Sequence, residues 1–269
     1  MFAVEKPVHR SSVRRILGKE YFCLKQKLSW HTSGIAFASQ SQHQPLEFEW
    51  MRHQSVLLRQ LKDVDMQLQY NKIVNLRLAV KKLNGIIIHP GETFSLWKLV
   101  GRPTKLKGYL PGMTLHNGKV SVGIGGGLCQ LGNLIYWMAL HTPLTVTRRW
   151  RHSYDVFPDS GRTLPFGSGA TLSYNYIDLQ LRNDTSQAFQ LNLWLSEKNL
   201  HGTICADVIP DVQYQVFEKE HRFELQWWGG YTRHNEIWRK TINAAQEVIE
   251  EELVTENHAV MMYNPLLPG

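Results

Sequence analysis

A glycine-rich segment at residues 123–127 constrains this chain most, because a lone cysteine and an apolar stretch follow it at once. Glycine adopts backbone angles closed to other residues and lets another chain or a ligand approach the backbone closely. Beyond the glycines, apolar residues recur every three or four positions until Thr142 and Pro143 interrupt the pattern, which predicts a helix. We therefore expect Cys129 to begin a helix directly after a tight glycine loop.

A cysteine at a helix start can be chemically active. The unpaired N–H groups and the positive dipole end of a helix favour an anion such as a thiolate. This placement predicts a lowered pKa for the Cys129 thiol, and backbone donors near Gly127 and Cys129 to hold an oxyanion. The alternative is that Cys129 is a small buried hydrophobic side chain, as most free cysteines are. We adopt that alternative for Cys23 and Cys205, and for Cys129 both interpretations stay open.

A nucleophilic cysteine needs a base, and His152 follows Cys129 within an extended pattern that Pro158 closes. A strand after the helix can fold back beside the helix start, which would bring imidazole and thiol within hydrogen-bond reach. The alternative is that His152 is one of the surface histidines. Asp155 is an unfavourable partner for His152, since three residues along a strand separate the two by about 10 Å and place them on opposite faces.

Composition narrows the fold class and excludes some kinds of site. The chain has 269 residues, of which 43% are hydrophobic, enough for a sizeable core. Its three cysteines form neither a disulfide framework nor a paired metal-ligand pattern, so we expect no metal and no cofactor. The glycine run also lacks the lysine and hydroxyl residue of a phosphate-binding loop. Alternating apolar residues at 177–181 and 189–195 predict antiparallel strands. We expect an α+β fold with an antiparallel-rich sheet packed against the cysteine helix.

Several local elements can be predicted from pattern. Residues 47–68 are weakly helical, and residues 71–83 form a clearer helix with Asn71 as its cap. An Asn-Gly pair at the centre of residues 115–120 predicts a hairpin that leads into the glycine segment. Residues 243–257 fit a helix or a strand equally well.

Charge is concentrated near the N-terminus. We divide the chain into a basic arm at 1–45, a core at 46–210 and a β-rich extension of the same domain at 211–269. Residues 1–40 hold seven lysines or arginines and two acids, within a net charge of +7. This arm is either an anionic-surface contact or simply a solvated basic segment. Nucleic acid is not expected as a partner, because no aromatic-interleaved RNA-binding pattern accompanies the charge. The absence of a signal-peptide or membrane-length apolar run predicts no transmembrane segment and a cytoplasmic location.

Several short motifs carry a family resemblance. They are Pro90–Ser95 (PGETFS), Gly125–Gln130 (GGGLCQ), His152–Tyr154 (HSY), Gly169–Ser173 (GATLS), and Ile177–Leu179 with Arg182–Thr185. With these motifs in this order, the stretch from Asn71 to Thr185 resembles the VanW family, which is named after an accessory protein of vancomycin-resistance gene clusters.

The resemblance implies a chemistry as well as a fold. Some multidomain relatives look like L,D-transpeptidases, which form an acyl-enzyme between a cysteine and a peptidoglycan stem peptide and then pass the acyl group to an amine. The family cysteine falls on Cys129 and the family histidine on His152, so Cys129 would attack the carbonyl and His152 would move the proton. The motifs also supply candidates for substrate or oxyanion binding: Gly125, Gly126, Gly127, Gln130, Ser153 and Tyr154.

The order of the elements also resembles that of transglutaminase-like and papain-like enzymes, with a cysteine at a helix start, a histidine on a strand and an acid on the next strand. In that comparison Asp178 is the candidate acid. Relatives commonly carry aspartate where this chain has Gly169, which removes one group that could orient the histidine. Two hypotheses follow: a cysteine acyltransferase acting on a peptidoglycan peptide or precursor, linked by family to glycopeptide resistance, or a non-catalytic ligand-binding or accessory protein. A wall substrate outside the cell conflicts with the cytoplasmic location expected above.

Overall fold

The structure is a computed structural model that describes residues 11–59, 65–116, 118–158 and 163–266. Within these ranges the fold is α+β, as expected, with sheets built mostly from antiparallel pairs. The helices are α1 (Ser12–Thr32), α2 (Met66–Leu83), α3 (Leu96–Val100) and α4 (Cys129–Ala139). The strands are β1 (Phe48–Val56), β2 (Ile86–Ile88), β3 (Thr93–Ser95), β4 (Pro111–His116), β5 (Lys119–Ile124), β6 (Thr145–Arg148), β7 (Tyr154–Asp155), β8 (Gln180–Arg182), β9 (Phe189–Leu195), β10 (Asn199–Ala206), β11 (Val212–Leu225), β12 (Tyr231–Asn243) and β13 (Val248–Met261).

The core forms where α4 packs on a four-stranded antiparallel sheet of order β1-β10-β9-β2. The helix approaches closely at Gly202, where any Cβ would come within 2.6 Å of the Met138 terminal methyl. Leu131, Leu134, Ile135 and Met138 are all almost completely buried. The apolar residues that recur every three or four positions in α4 therefore face the core. The predicted helix that begins at Cys129 is confirmed.

Helix α2 packs beside this core and touches β9, α3 and the β4–β5 hairpin. It begins at Met66, with the side chain of Asp65 accepting a hydrogen bond from the Gln67 N–H, so the expected cap at Asn71 is wrong. The Asn71 side chain instead donates to the carbonyl of Pro111 at the start of the hairpin. The β4–β5 hairpin predicted from the Asn-Gly pair is confirmed.

Two expectations fail because long-range pairing overrides local pattern. Residues 48–56, expected to be weakly helical, form β1, which pairs antiparallel with β10. The Arg52 side chain projects from this strand to pair with Glu49. Residues 248–257, which fitted helix or strand, belong to the long strand β13.

The C-terminal strands form a sheet of order β11-β12-β13-β7. Strand β7 comes from the middle of the chain and pairs parallel with the end of β13. Asp155 of β7 forms an ion pair with Arg233 of β12 at 3.2 Å, and both side chains are almost fully buried. The extension is thus joined to the central part of the chain through the strand that follows His152.

The basic N-terminal segment contains α1, which is docked on the core by one face. The thiol of Cys23 donates to the carbonyl of Tyr174, and the Arg148 guanidinium donates to the side-chain oxygen of Gln26. Cys23 and Gln26 are both buried. In the described ranges no helix combines the length and apolar character that crossing a membrane requires.

Candidate active site at the start of helix α4

The loop between β5 and α4 is held by close backbone contacts, which explains its glycines. A Cβ on Gly126 would overlap the backbone of Gly112 in β4, and a Cβ on Gly127 would overlap the aliphatic stem of Lys72 in α2. Gly127 also has a φ of +91°, in the region that favours glycine. The glycine run is therefore required to pack the loop between the hairpin and α2.

Some N–H groups of this loop donate hydrogen bonds within the protein, and others have no acceptor among the described residues. Gly125 donates to the carbonyl of Leu110, and Gly126 donates to the carbonyl of Gly123. Neither can hold a substrate oxyanion without breaking these bonds. For the N–H groups of Gly127 and Leu128, in contrast, no acceptor is present in the part of the chain that the structure describes. Leu128 caps α4 without any side-chain hydrogen bond, so this helix end offers free backbone donors.

Cys129 is the first residue of α4 and is partly exposed, whereas Cys23 and Cys205 are buried. Its sulfur lies 3.9 Å from the carbonyl oxygen of Leu172, to which the thiol donates. Burial around the sulfur raises the pKa of the Cys129 thiol, although the hydrogen bonds from its surroundings act in the opposite direction. The expected lowering of this pKa by the helix start is therefore wrong, because desolvation outweighs the nearby donors.

His152 lies in the segment between β6 and β7 and is half-buried. Burial lowers the pKa of its imidazole, so the neutral ring, which can accept a proton, dominates at neutral pH. Within the described ranges the ring makes no hydrogen bond, to Cys129 or to any other residue. Neither ring nitrogen therefore has a partner among the residues that the structure describes.

Cys129 and His152 are linked through a third segment, residues 169–172. The Leu172 carbonyl faces the Cys129 sulfur, and the N–H of Thr171 donates to the carbonyl of Trp150, two residues before His152. This segment therefore lies beside Cys129 and is bonded to the chain just before His152, and no hydrogen bond joins Cys129 to His152 in the described ranges.

Gly169, where the resemblance leads us to expect aspartate, lies against Asn133 of α4. A Cβ at Gly169 would come within 2.5 Å of the Asn133 side-chain oxygen, and that oxygen accepts a hydrogen bond from the N–H of Ala170. The guanidinium of Arg149 donates to the carbonyl of Gly169 at 2.9 Å. Asn133 and Arg149 thus hold this segment, and neither was predicted. Asn133 is an exposed polar residue on a helix, and Arg149 follows strand β6, so neither stands in a distinguishing sequence pattern.

Asp178 precedes strand β8, which pairs with β3, and in the described ranges its hydrogen bonds go to residues other than His152. Its carboxylate accepts hydrogen bonds from the Ser95 hydroxyl and the Trp97 N–H, and also from Gln180 and the N–H of Leu179. The side chain is completely buried, and this burial raises its pKa. Each of its hydrogen bonds positions the start of α3 or the neighbouring strand, so the structure assigns this carboxylate contacts that tie α3 to β8.

The other candidate substrate residues have local partners. The Gln130 side chain donates to the Ser55 hydroxyl and the Val56 carbonyl, which ties α4 to the end of β1. Ser153 is exposed, and its carbonyl accepts from the N–H of Val260. Tyr154 lies in β7, with its ring 3.1 Å from the position of a Cβ on Gly118 at the hairpin turn. Of these, Ser153 has the side chain most open to a ligand.

Lys72 is a residue of this site that the sequence did not reveal. Its stem fills the space in front of Gly127, and its ammonium donates to the side-chain oxygen of Gln69 at 2.8 Å. The residue is 8% exposed, and burial lowers its pKa to about 8. Among the described residues no carboxylate pairs with it. A buried lysine side chain therefore packs against the loop that carries the free N–H groups of Gly127 and Leu128.

In the same ranges no three His, Cys, Asp or Glu side chains are grouped so as to hold a metal ion. The arrangement consists of a thiol, a neutral imidazole, free backbone N–H groups and a buried ammonium. Such groups suit nucleophilic attack on a carbonyl with stabilisation of the resulting oxyanion.

Comparisons with known proteins agree with the sequence motifs. A family model described as "VanW like protein" matches residues 71–205. The vancomycin B-type resistance protein VanW of Enterococcus faecalis is 37% identical over 200 residues, which cover 74% of this chain and 72% of that protein. The protein YoaR of Bacillus subtilis is 30% identical over 113 residues, which cover 42% of this chain and 36% of YoaR. No solved structure matches. On these similarities the chain belongs to the VanW family.

Proposed function

We propose that this chain is a cysteine acyltransferase with L,D-transpeptidase-like chemistry, acting on a peptidoglycan stem peptide or its precursor and contributing to glycopeptide resistance. One observation carries the proposal: Cys129 is the first residue of an uncapped helix, beside the free N–H groups of Gly127 and Leu128. Its resistance role rests on the similarity to the vancomycin B-type resistance protein VanW.

In the proposed reaction His152 accepts the thiol proton as the Cys129 sulfur attacks a carbonyl carbon of the stem peptide. The carbonyl oxygen becomes an oxyanion, which the N–H groups of Gly127 and Leu128 stabilise. When the tetrahedral intermediate collapses, the C–N bond breaks, and the leaving amine takes the proton from His152. An acceptor amine then attacks the thioester, His152 removes its proton, and the sulfur leaves as a thiol.

This chemistry requires a change at the thiol. The sulfur must leave the Leu172 carbonyl and turn towards the ring of His152, whose nitrogens have no protein partner in the described ranges. The lowered pKa of His152 keeps the imidazole neutral and able to accept the proton. The order of cysteine helix and histidine segment resembles that of transglutaminase-like and papain-like enzymes, and this analogy at the level of architecture is part of the proposal.

The test is intact-protein mass spectrometry of the full chain after incubation with a tetrapeptide stem or a carbapenem. The double variant Cys23→Ala/Cys205→Ala leaves one thiol and should gain the mass of one acyl group, while Cys129→Ala should gain none. His152→Gln should slow acylation by about 10²–10⁴-fold with unchanged thermal stability, since it removes the proton acceptor. Prompt labelling of Cys129 by iodoacetamide with no acyl adduct would contradict the proposal.

A second candidate function is non-catalytic binding of the same class of peptide. It is favoured by the raised pKa of Cys129, whose thiol stays protonated against the Leu172 carbonyl. In that case stem peptides should bind without a change in protein mass, and Cys129→Ala should bind them with unchanged affinity. Isothermal calorimetry on both proteins separates the two functions.

A further inference from the structure

Helix α1 carries apolar side chains on the side that faces away from the core. Its buried contacts are made by Cys23, Gln26 and the partly buried Trp30. The opposite side presents a stripe of five residues at spacings of three and four, each more than half exposed: Val13, Leu17, Tyr21, Leu24 and Leu28. We call these five residues the α1 stripe. Soluble surfaces carry single apolar residues, but a continuous stripe of this length indicates a contact surface.

The charges along α1 point to an anionic partner. The helix contains five lysines or arginines and one glutamate. With 3.6 residues per turn, Arg14 and Lys25 border one side of the α1 stripe and Lys27 borders the other. The single acid, Glu20, forms an ion pair with Arg102, and the hydrogen bond from that guanidinium lowers the pKa of Glu20. Its charge is thus neutralised within the protein, while the basic residues remain exposed.

We propose that the α1 stripe is a docking surface for an anionic lipid membrane. A helix with a narrow apolar stripe and lysine or arginine beside it lies parallel to a bilayer, with leucines entering the interface and cations contacting headgroups. A second copy of this chain fits less well, because two α1 helices packed through their stripes would bring the basic borders of both together. The proposal does not depend on the chemistry proposed for Cys129.

The experiment measures sedimentation of the full chain with vesicles of phosphatidylcholine alone or of phosphatidylcholine with phosphatidylglycerol. Partition should be strong only on the anionic vesicles and should fall as salt rises. The charge reversal Lys25→Glu/Lys27→Glu should lower partition by about tenfold or more. Leu17→Ser/Leu24→Ser should abolish it, because the leucines supply the buried area.

The matched control is Val248→Ser/Ile249→Ser, which removes two equally exposed apolar residues from β13. This variant should bind anionic vesicles as the unchanged protein does, and circular dichroism should show that all variants are folded. Equal partition of the control and the Leu17→Ser/Leu24→Ser variant would overturn the proposal. So would a concentration-dependent dimer, seen by analytical ultracentrifugation without lipid, that disappears in the stripe variant.

Discussion

The contact between Gly127 and Lys72 gives the sharpest test of how the cysteine loop is built. Gly127→Ala introduces a Cβ that overlaps the Lys72 stem, at a residue whose φ is +91°. A side chain at such a backbone angle costs about 1–3 kcal/mol. Forcing a methyl group into a packed contact costs about 1–3 kcal/mol more. We therefore expect the free energy of unfolding to fall by about 2–6 kcal/mol.

A second glycine separates these two contributions. Gly91 has a φ of +78°, but a Cβ there would meet no atom within 4 Å. Gly91→Ala should therefore lose only the backbone contribution, about 1–3 kcal/mol. The difference between the two alanine variants is the cost of the overlap with Lys72.

The assay is urea unfolding followed by circular dichroism, with Lys72→Ala and the double variant Gly127→Ala/Lys72→Ala completing the cycle. Lys72→Ala removes the Cγ and Cδ atoms that overlap the new methyl group and keeps only the Lys72 Cβ, at 2.8 Å, so part of the overlap is relieved. The double variant should therefore be more stable than the sum of the single changes, by up to about 3 kcal/mol. If Gly127→Ala is no more destabilising than Gly91→Ala, and the cycle shows no coupling, the packing explanation of the glycine run is refuted.

Two further predictions concern buried ionisable groups. Because burial lowers the pKa of Lys72 to about 8, the native protein binds this proton more weakly than the unfolded chain, whose lysine titrates near 10.5. Stability relative to Lys72→Met should therefore rise between pH 8 and pH 10.5, by up to about 3 kcal/mol, and urea unfolding across that range should reveal the rise; parallel pH profiles for the two proteins would contradict it. For Asp178→Asn we expect a loss of about 1–3 kcal/mol, because an amide cannot accept from all the donors that surround the carboxylate. The rate of Cys129 alkylation should stay unchanged, and a shifted pH profile of that rate would instead mean that Asp178 acts on the cysteine site.

The sequence predicts the parts of this fold that depend on local pattern. The period in α4 locates the helix and its first residue, Cys129, because its apolar side faces one sheet. The Asn-Gly pair locates the β4–β5 hairpin for a similar reason, since a two-residue turn is encoded locally. Strand β1 is missed because its conformation is set by pairing with β10, which lies far away in the chain.

The polar residues behind the site could not be predicted for a different reason. In α2 the apolar period marks Leu76, Val80 and Leu83 as core, and all three are buried. Lys72 and Asn75 are buried as well, but they face the glycine loop, where Asn75 donates to the carbonyls of Leu110 and Gly126. The helical pattern predicts that a lysine or asparagine of an amphipathic helix faces solvent. Its burial can be predicted only when the loop that packs against it is known.

Gly169 shapes the segment that faces the Cys129 sulfur, because a side chain at this position would meet Asn133. A Cβ on residue 169 would lie 2.5 Å from the Asn133 side-chain oxygen, so a larger residue there would require the Asn133 side chain to move. Arg149 consequently binds backbone carbonyls, of Gly167 and Gly169, and pairs with no carboxylate in the described ranges. The segment that faces the Cys129 sulfur therefore carries no carboxylate at residue 169. Where the resemblance leads us to expect an aspartate, this chain thus has no carboxylate that could orient His152, and Asn133 and Arg149 hold the segment instead.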